Sequence, residues 1–130
     1  MSDIEADIQA AGANVAPRIT MADIDGNIAS EVYFTAWEGA QFAFWCRAAK
    51  DASDAELATY AKGEPDRDGP LGLLTICVLV LKNGFTVLGE SACASPANFN
   101  AEIGKKVARD NAIAKVWPLM GYELKSKLAA

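Results

Sequence analysis

The sequence predicts an α+β fold: an antiparallel sheet built on a central β-hairpin, with flanking helices and a helical insertion. Three observations lead there. Two apolar runs, Leu73 to Leu81 and Phe85 to Cys93, are separated by Asn83-Gly84, a pair that readily supplies the positive φ angles of a tight type I′ turn. Helically spaced apolar residues follow the second run, and a Ser-x-x-Glu pattern at Ser53 and Glu56 opens another helix ahead of the first. The chain has 130 residues, 52% of them hydrophobic and 22% charged, which suits one globular domain with a modest core.

Residues 1–18 read as a polar, alanine-rich N-terminal arm, leaving 19–130 as a single α+β domain with a helical insertion over about 36–70. Thr20 caps a short helix with Asp23 in its first turn, and Ile24 and Ile28 share its apolar side. Gly26 weakens this helix, which is expected to end near Glu31. Val32-Tyr33-Phe34 reads as a short strand or as the helix end. AWEGAQFAFWCRAAK, Ala36 to Lys50, reads as a helix with Phe42, Trp45 and Cys46 as its stripe. The helix capped by Ser53 should end at Gly63, and EPDRDGP, Glu64 to Pro70, is a loop on every turn signal and is expected to act as a flexible tether.

A two-residue Asn83-Gly84 loop places Val80 opposite Val87, Leu79 opposite Leu88, Cys77 opposite Glu90 and Leu74 opposite Cys93. Ser95-Pro96 opens the next helix, with Ser as cap and Pro at its first position. Phe99, Ile103 and Val107 step along one face of it, rejoined by Ile113 and Trp117. Pro118 is expected to break or kink it, leaving Leu119 to Leu128 as a last amphipathic helix.

The first hairpin strand is apolar on both sides: Leu73, Thr75, Cys77, Leu79 and Leu81 on one, Leu74, Ile76, Val78 and Val80 on the other. A sheet with one wet face would alternate. The C-terminal helices cover one face; the other must meet the insertion helices or a second copy of the chain, because bare apolar surface is an aggregation hazard. Self-association is the expectation.

Net charge is −5, which disfavours DNA, RNA and anionic membranes as partners. The charge is uneven: residues 100–130 carry six Lys/Arg and three Asp/Glu, so the C-terminal segment is basic on an acidic body. The acidic N-terminus has no signal-peptide pattern, the longest apolar run is about half of the roughly 20 residues a membrane span needs, and three cysteines without a spacing pattern read as reduced thiols. A cytoplasmic protein is expected. The absence of histidine removes His-based acid/base catalysis and nucleophile activation, and most zinc sites. No phosphate-loop, dinucleotide or EF-hand motif is present. The expectation is a binding protein rather than an enzyme, with no metal and no cofactor.

Lys105, Lys106 and Arg109 are the densest basic cluster. They read as an anion site, with Asn111 as an amide reader, or as a solvated helix face; Glu102 and Lys106 are spaced as a surface pair. The small polar segment Glu90 to Phe99, with Ser91 and Asn98, leads to a helix N-terminus, which suits phosphate or simply makes a capped turn. Phe99 reads as a base-stacking ring or as core. Glu90 has no second carboxylate to work with, and Cys77 and Cys93 read as packing.

The stretch LTICVLVLKNGFTVLGESACASPANFNAEIGKKVARDNAIAKVWPLMGYELKSKL, with IDGNIASEVYF at Ile24 to Phe34, resembles a family of small accessory proteins of tailed bacteriophages. The carrying motifs are NGF-x-V-x-GESAC, SP-x-NF, EIG-x-K and WPL-x-GYEL; residues from about Trp37 to Pro70 lie outside the shared pattern. That family is similar to the phage Thoeris anti-defence sponges, which bind cyclic ADP-ribose isomers without cleaving them and form oligomers with nucleotide pockets at subunit contacts. The resemblance implies a homo-oligomer that sequesters a cyclic nucleotide signal in the host cytoplasm. Lys105, Lys106, Arg109 and a helix N-terminus would hold pyrophosphate, Phe99, Asn98 and Asn111 would contact base and ribose, and Ser91 would be a further ligand-binding residue. The alternative is an inhibitor that docks on a host defence or replication protein through its acidic face and the aromatic insertion (Trp37, Phe42, Phe44, Trp45).

Overall fold

The computed structural model of the chain describes residues 4–50, 52–60 and 63–130. An antiparallel sheet runs in the order β1-β2-β3, formed by β1 (Ile28–Thr35), β2 (Leu74–Leu81) and β3 (Thr86–Ala92). The helices are α1 (Ile4–Ala10), α2 (Met21–Gly26), α3 (Ala36–Ala49), α4 (Asp54–Tyr60) and α5 (Ala101–Ala129), with 3₁₀ turns at Pro70–Leu73 and Pro96–Asn98. The predicted α+β class is the one observed.

The N-terminal arm forms α1, which is exposed apart from a half-buried Ile8 and is fastened to the arm's own last residue by the Arg18 guanidinium on the Glu5 carboxylate. Thr20 caps α2 as expected: its hydroxyl accepts from Asp23 N, and Asp23 accepts from Thr20 N at 2.8 Å. The helix stops at Gly26, short of Glu31. Asn27 turns the chain, and Ile28 begins a full edge strand rather than a helix end, because pairing with β2 from Ile28↔Leu81 to Thr35↔Thr75 satisfies its backbone.

The hairpin sits where Asn83-Gly84 places it, but the register is shifted by one. Leu79 faces Val87, Cys77 faces Gly89, Thr75 faces Ser91 and Leu74 faces Ala92. The loop holds three residues, not two: Leu81 N bonds Phe85 O at 2.8 Å, Gly84 N bonds Leu81 O at 2.9 Å, and Gly84 sits at φ 88°. A turn followed by a left-handed glycine adds the extra residue, and the slip changes which β3 side chains share a face with which β2 side chains.

Thr75, Cys77, Leu79 and Leu81 point to the core with Val87. Helix α5 lies on this face, but not on its Ile103/Val107 side. Ile103 and Val107 are 63% and 41% exposed, whereas Gly104, Ala108, Ala112, Ile113 and Val116 are buried. The small residues let the helix backbone settle directly on Gly89. Asn100, not Ser95, caps α5, its side chain accepting from Ile103 N at 3.0 Å; Ser95 caps only the 3₁₀ turn. Pro118 does not end the helix. Val116 and Ile113 before it and Met120 after it pack on the core, and this burial outweighs the ~3 kcal/mol that an internal proline costs.

Helix α5 also closes one edge of the sheet. Asn111 Nδ2 donates to Glu90 O at 2.7 Å, and Lys115 Nζ to Leu88 O at 2.7 Å, so side chains fill acceptor positions of β3 where another strand would pair.

The second sheet face is only partly covered. Helix α3, capped by Thr35 and Glu38 in a capping box, packs at its Phe34 end, where a Cβ on Gly39 would lie 3.3 Å from the ring. Across the middle, Val32, Val78 and Leu88 align on neighbouring strands, with Val32 and Leu88 about half exposed. The expected α3 stripe is not buried as a unit: Phe42 and Cys46 are exposed. The α4 start is as expected, with Glu56 N on Ser53 Oγ; its expected end at Gly63 runs through residues outside those described. The Glu64 to Pro70 loop is not a free tether, since Trp37 Nε1 donates to Pro65 O at 2.9 Å and Gln41 Nε2 to Glu64 Oε1 at 2.9 Å.

Gly121 is an exposed helical glycine where an added Cβ would meet nothing within 4 Å. Gly121→Ala should therefore stabilise the fold by about 0.5–1 kcal/mol, through lower chain entropy in the unfolded state. A lower melting temperature for this variant would contradict the placement of α5.

Candidate functional site at the start of helix α5

Two adjoining clefts meet at Leu73 and Phe99, one where β2, β3, the Pro96–Asn98 turn and the first turn of α5 come together, the other between that turn, the start of α3 and the loop ahead of β2. The narrower, of about 190 Å³, is lined by Thr75, Ser91, Cys93, Asn98, Phe99 and Gly104 among others. The wider, of about 490 Å³, shares Leu73 and Phe99 with it and is walled by Thr35, Trp37, Glu38, Arg67 and Asp68. A 490 Å³ cleft falls within the roughly 300–1,000 Å³ range of small-molecule sites.

Local sequence builds the narrow cleft. Ser95 and Pro96 turn the chain after β3, Cys93 Sγ donates to Ser95 O at 3.2 Å, and Asn100 restarts the chain as α5. The N-terminus of this long helix brings a partial positive charge to the cleft. The floor is Thr75. It is 3% exposed, and its Oγ1 is a buried polar atom without a hydrogen-bond partner. Gly104 leaves room for it, because a Cβ there would lie 2.7 Å from Oγ1. An orphaned buried hydroxyl costs about 1–3 kcal/mol. Thr75 lines a space with room for roughly six waters, with its Oγ1 just beneath the cleft surface.

The structure divides the sequence-predicted residues into two groups. Ser91, Asn98 and Phe99 come together around Thr75. Lys105, Lys106, Arg109 and Asn111 do not line either cleft. Arg109 crosses to α2 and β1: its Nε lies 3.1 Å from Glu31 Oε1, and its Nη2 lies 3.4 Å from Asp25 Oδ1. Tyr33 OH donates to the same Glu31 carboxylate, and burial followed by this bond pushes the phenol well above its ordinary pKa. Burial works against the Arg109 charge, but Glu31 and then Asp25 outweigh it and hold the guanidinium protonated. This cation is spent on an internal network. Lys105 lies 3.6 Å from Glu102, which pairs with it rather than with Lys106. Asn111 is committed to Glu90 O.

Sequence reasoning did not place Thr75, Trp37 or Arg67 at this site; Trp37 was expected only in a contact with a host protein. Thr75 is a lone polar residue on the core-facing side of an apolar strand, and that is the signal that could have found it. Trp37 and Arg67 belong to the insertion, and only the fold brings them beside Phe99. The Arg67 guanidinium carbon lies 5.4 Å from the Trp37 ring centroid, within stacking range.

Burial raises the Cys77 thiol above its ordinary range, against the Tyr33 hydrogen bond that lowers it, so it stays a packed thiol. Among the described residues no group of three His, Cys, Asp or Glu is placed to hold a metal ion. No described helix is long and apolar enough to cross a membrane.

No curated protein and no solved structure is significantly similar to the chain. A family model does match, over residues 19–128, which takes in α2, the whole sheet, both clefts and nearly all of α5. The phage origin read from the NGF-x-V-x-GESAC and WPL-x-GYEL motifs stands on that match: the chain belongs to the phage protein (N4 Gp49/phage Sf6 gene 66) family.

Proposed function

We propose that this phage accessory protein captures a cyclic nucleotide, a cyclic ADP-ribose isomer, and holds it uncleaved. The observation that carries the reading is the partnerless Thr75 hydroxyl at the floor of a cleft that also gathers Ser91, Asn98 and Phe99 at the start of α5. Hydroxyl and amide groups beside a helix N-terminus suit phosphate oxygens, and Phe99 offers an aromatic surface between the two clefts. Sequestration rather than turnover is favoured by a chain without histidine. Self-association belongs to the same reading: the Val32, Val78 and Leu88 row is the apolar surface that a second copy would cover.

The test is to incubate the protein with cyclic ADP-ribose isomers, remove free ligand, heat-denature, and assay what is released. Stoichiometric recovery of intact ligand is expected, together with a melting temperature that rises with ligand concentration and a solution mass above that of one chain. Failure to bind any cyclic nucleotide ends the proposal, and recovery of a cleaved product would make the protein an enzyme.

A further inference from the structure

We infer that the insertion, through Trp37 and Arg67, supplies the base-binding half of the site, so that the wide cleft takes a purine ring while the narrow cleft takes phosphate. This rests on the nucleotide reading above and adds to it the division of the two clefts and the residues that set specificity.

The chemistry of the walls separates the two halves. The narrow cleft has hydroxyl and amide groups and no carboxylate among its lining residues. The wide cleft carries Glu38 and Asp68, which repel phosphate and accept hydrogen bonds from amino and hydroxyl groups. Glu38 is committed to Thr35 N at 2.9 Å as the partner in the α3 capping box; Asp68 is the carboxylate left for a ribose hydroxyl or an exocyclic amine. Trp37 and Phe99, far apart along the chain, both line this space.

Arg67 is the only Lys or Arg among the described residues that lines either cleft, and its position is fixed by the loop rather than left to chance. Pro65 O accepts from the Trp37 indole at 2.9 Å, and Gly69 N bonds Asp66 O at 3.2 Å. The Glu64 carboxyl is held below its ordinary range by donors from Trp45 and then Gln41. Gly72 lets the 3₁₀ turn pass against the loop, since a Cβ there would lie 2.2 Å from Arg67 O. The guanidinium is thereby parked over Trp37, where an entering ring can be stacked by indole and guanidinium together.

The experiment is titration calorimetry of wild type, Trp37→Ala, Trp37→Phe and Arg67→Ala against two probes: cyclic ADP-ribose, which has a base, and inorganic pyrophosphate, which has none. Loss of one stacking partner should raise the Kd for cyclic ADP-ribose about 5- to 100-fold and leave pyrophosphate binding unchanged. Trp37→Phe keeps a ring and should lose less than Trp37→Ala. Gly72→Ala, which displaces the Arg67 backbone without removing a charge, should weaken cyclic ADP-ribose in the same selective way. If wild type binds cyclic ADP-ribose and the Trp37 and Arg67 variants bind it equally well, or if they lose pyrophosphate to the same extent, the division of the site is wrong while the nucleotide reading survives. If wild type binds neither probe and no other cyclic ADP-ribose isomer, both fall together.

Discussion

Gly89→Ala is expected to cost more than about 3 kcal/mol, a large part of the roughly 5–15 kcal/mol that keeps a domain folded. A Cβ at this position would lie 2.1 Å from Ala108 O, 2.3 Å from Ala112 N and 2.7 Å from Ala112 Cβ. Two of those atoms are helix backbone, so no side chain can swing aside. Relief would require α5 to lift off β3. That movement would also break the bonds from Asn111 to Glu90 O and from Lys115 to Leu88 O, and it would open the contacts that bury Leu79, Val87 and Val116. Chemical denaturation is the measurement. A midpoint within error of wild type would mean that the helix does not sit on this strand. Gly121→Ala in α5, with the opposite expected sign, controls for a general effect of exchanging glycine for alanine.

Thr75→Val should move two quantities in opposite directions. Without ligand, replacing an orphaned hydroxyl by a methyl of similar shape removes a desolvated, unpaired group, so stability should rise by about 1–3 kcal/mol. With ligand, the same change deletes a donor and acceptor from the floor of the narrow cleft, and affinity for cyclic ADP-ribose should fall about 10-fold. Thermal melts with and without ligand read both effects on one sample. A residue that merely packs would lower stability and leave affinity alone, and that pattern would remove Thr75 from the site.

What could be read from the sequence was local. Asn83-Gly84 located the hairpin, Thr20 and Ser53 located helix starts, and the apolar alternation of β2 located the sheet. The misplacements share one physical cause: the deciding partner lies far along the chain. Ile24 and Ile28 fit one helical face, but β2 claims Ile28 through Leu81. The buried side of α5 is marked by the small residues Gly104, Ala108 and Ala112, whose role appears only once Gly89 is beneath them, and a search for large apolar residues chooses Ile103 and Val107 instead. Arg109 reads as a free cation because its carboxylate partners are 78 and 84 residues away. At the site, Ser91, Asn98 and Phe99 were legible because they are close in sequence and flank one turn. Thr75, Trp37 and Arg67 were not, since their proximity is made by the sheet and by the returning insertion.

The plugs that Asn111 and Lys115 place on β3 leave this sheet with one open flank. Lateral growth between molecules would have to run through β1, and a pair joined β1 to β1 would show only blocked margins to the next arrival. Such a ribbon would stop at two members, so the blocked flank of β3 sets a limit on edge-to-edge growth.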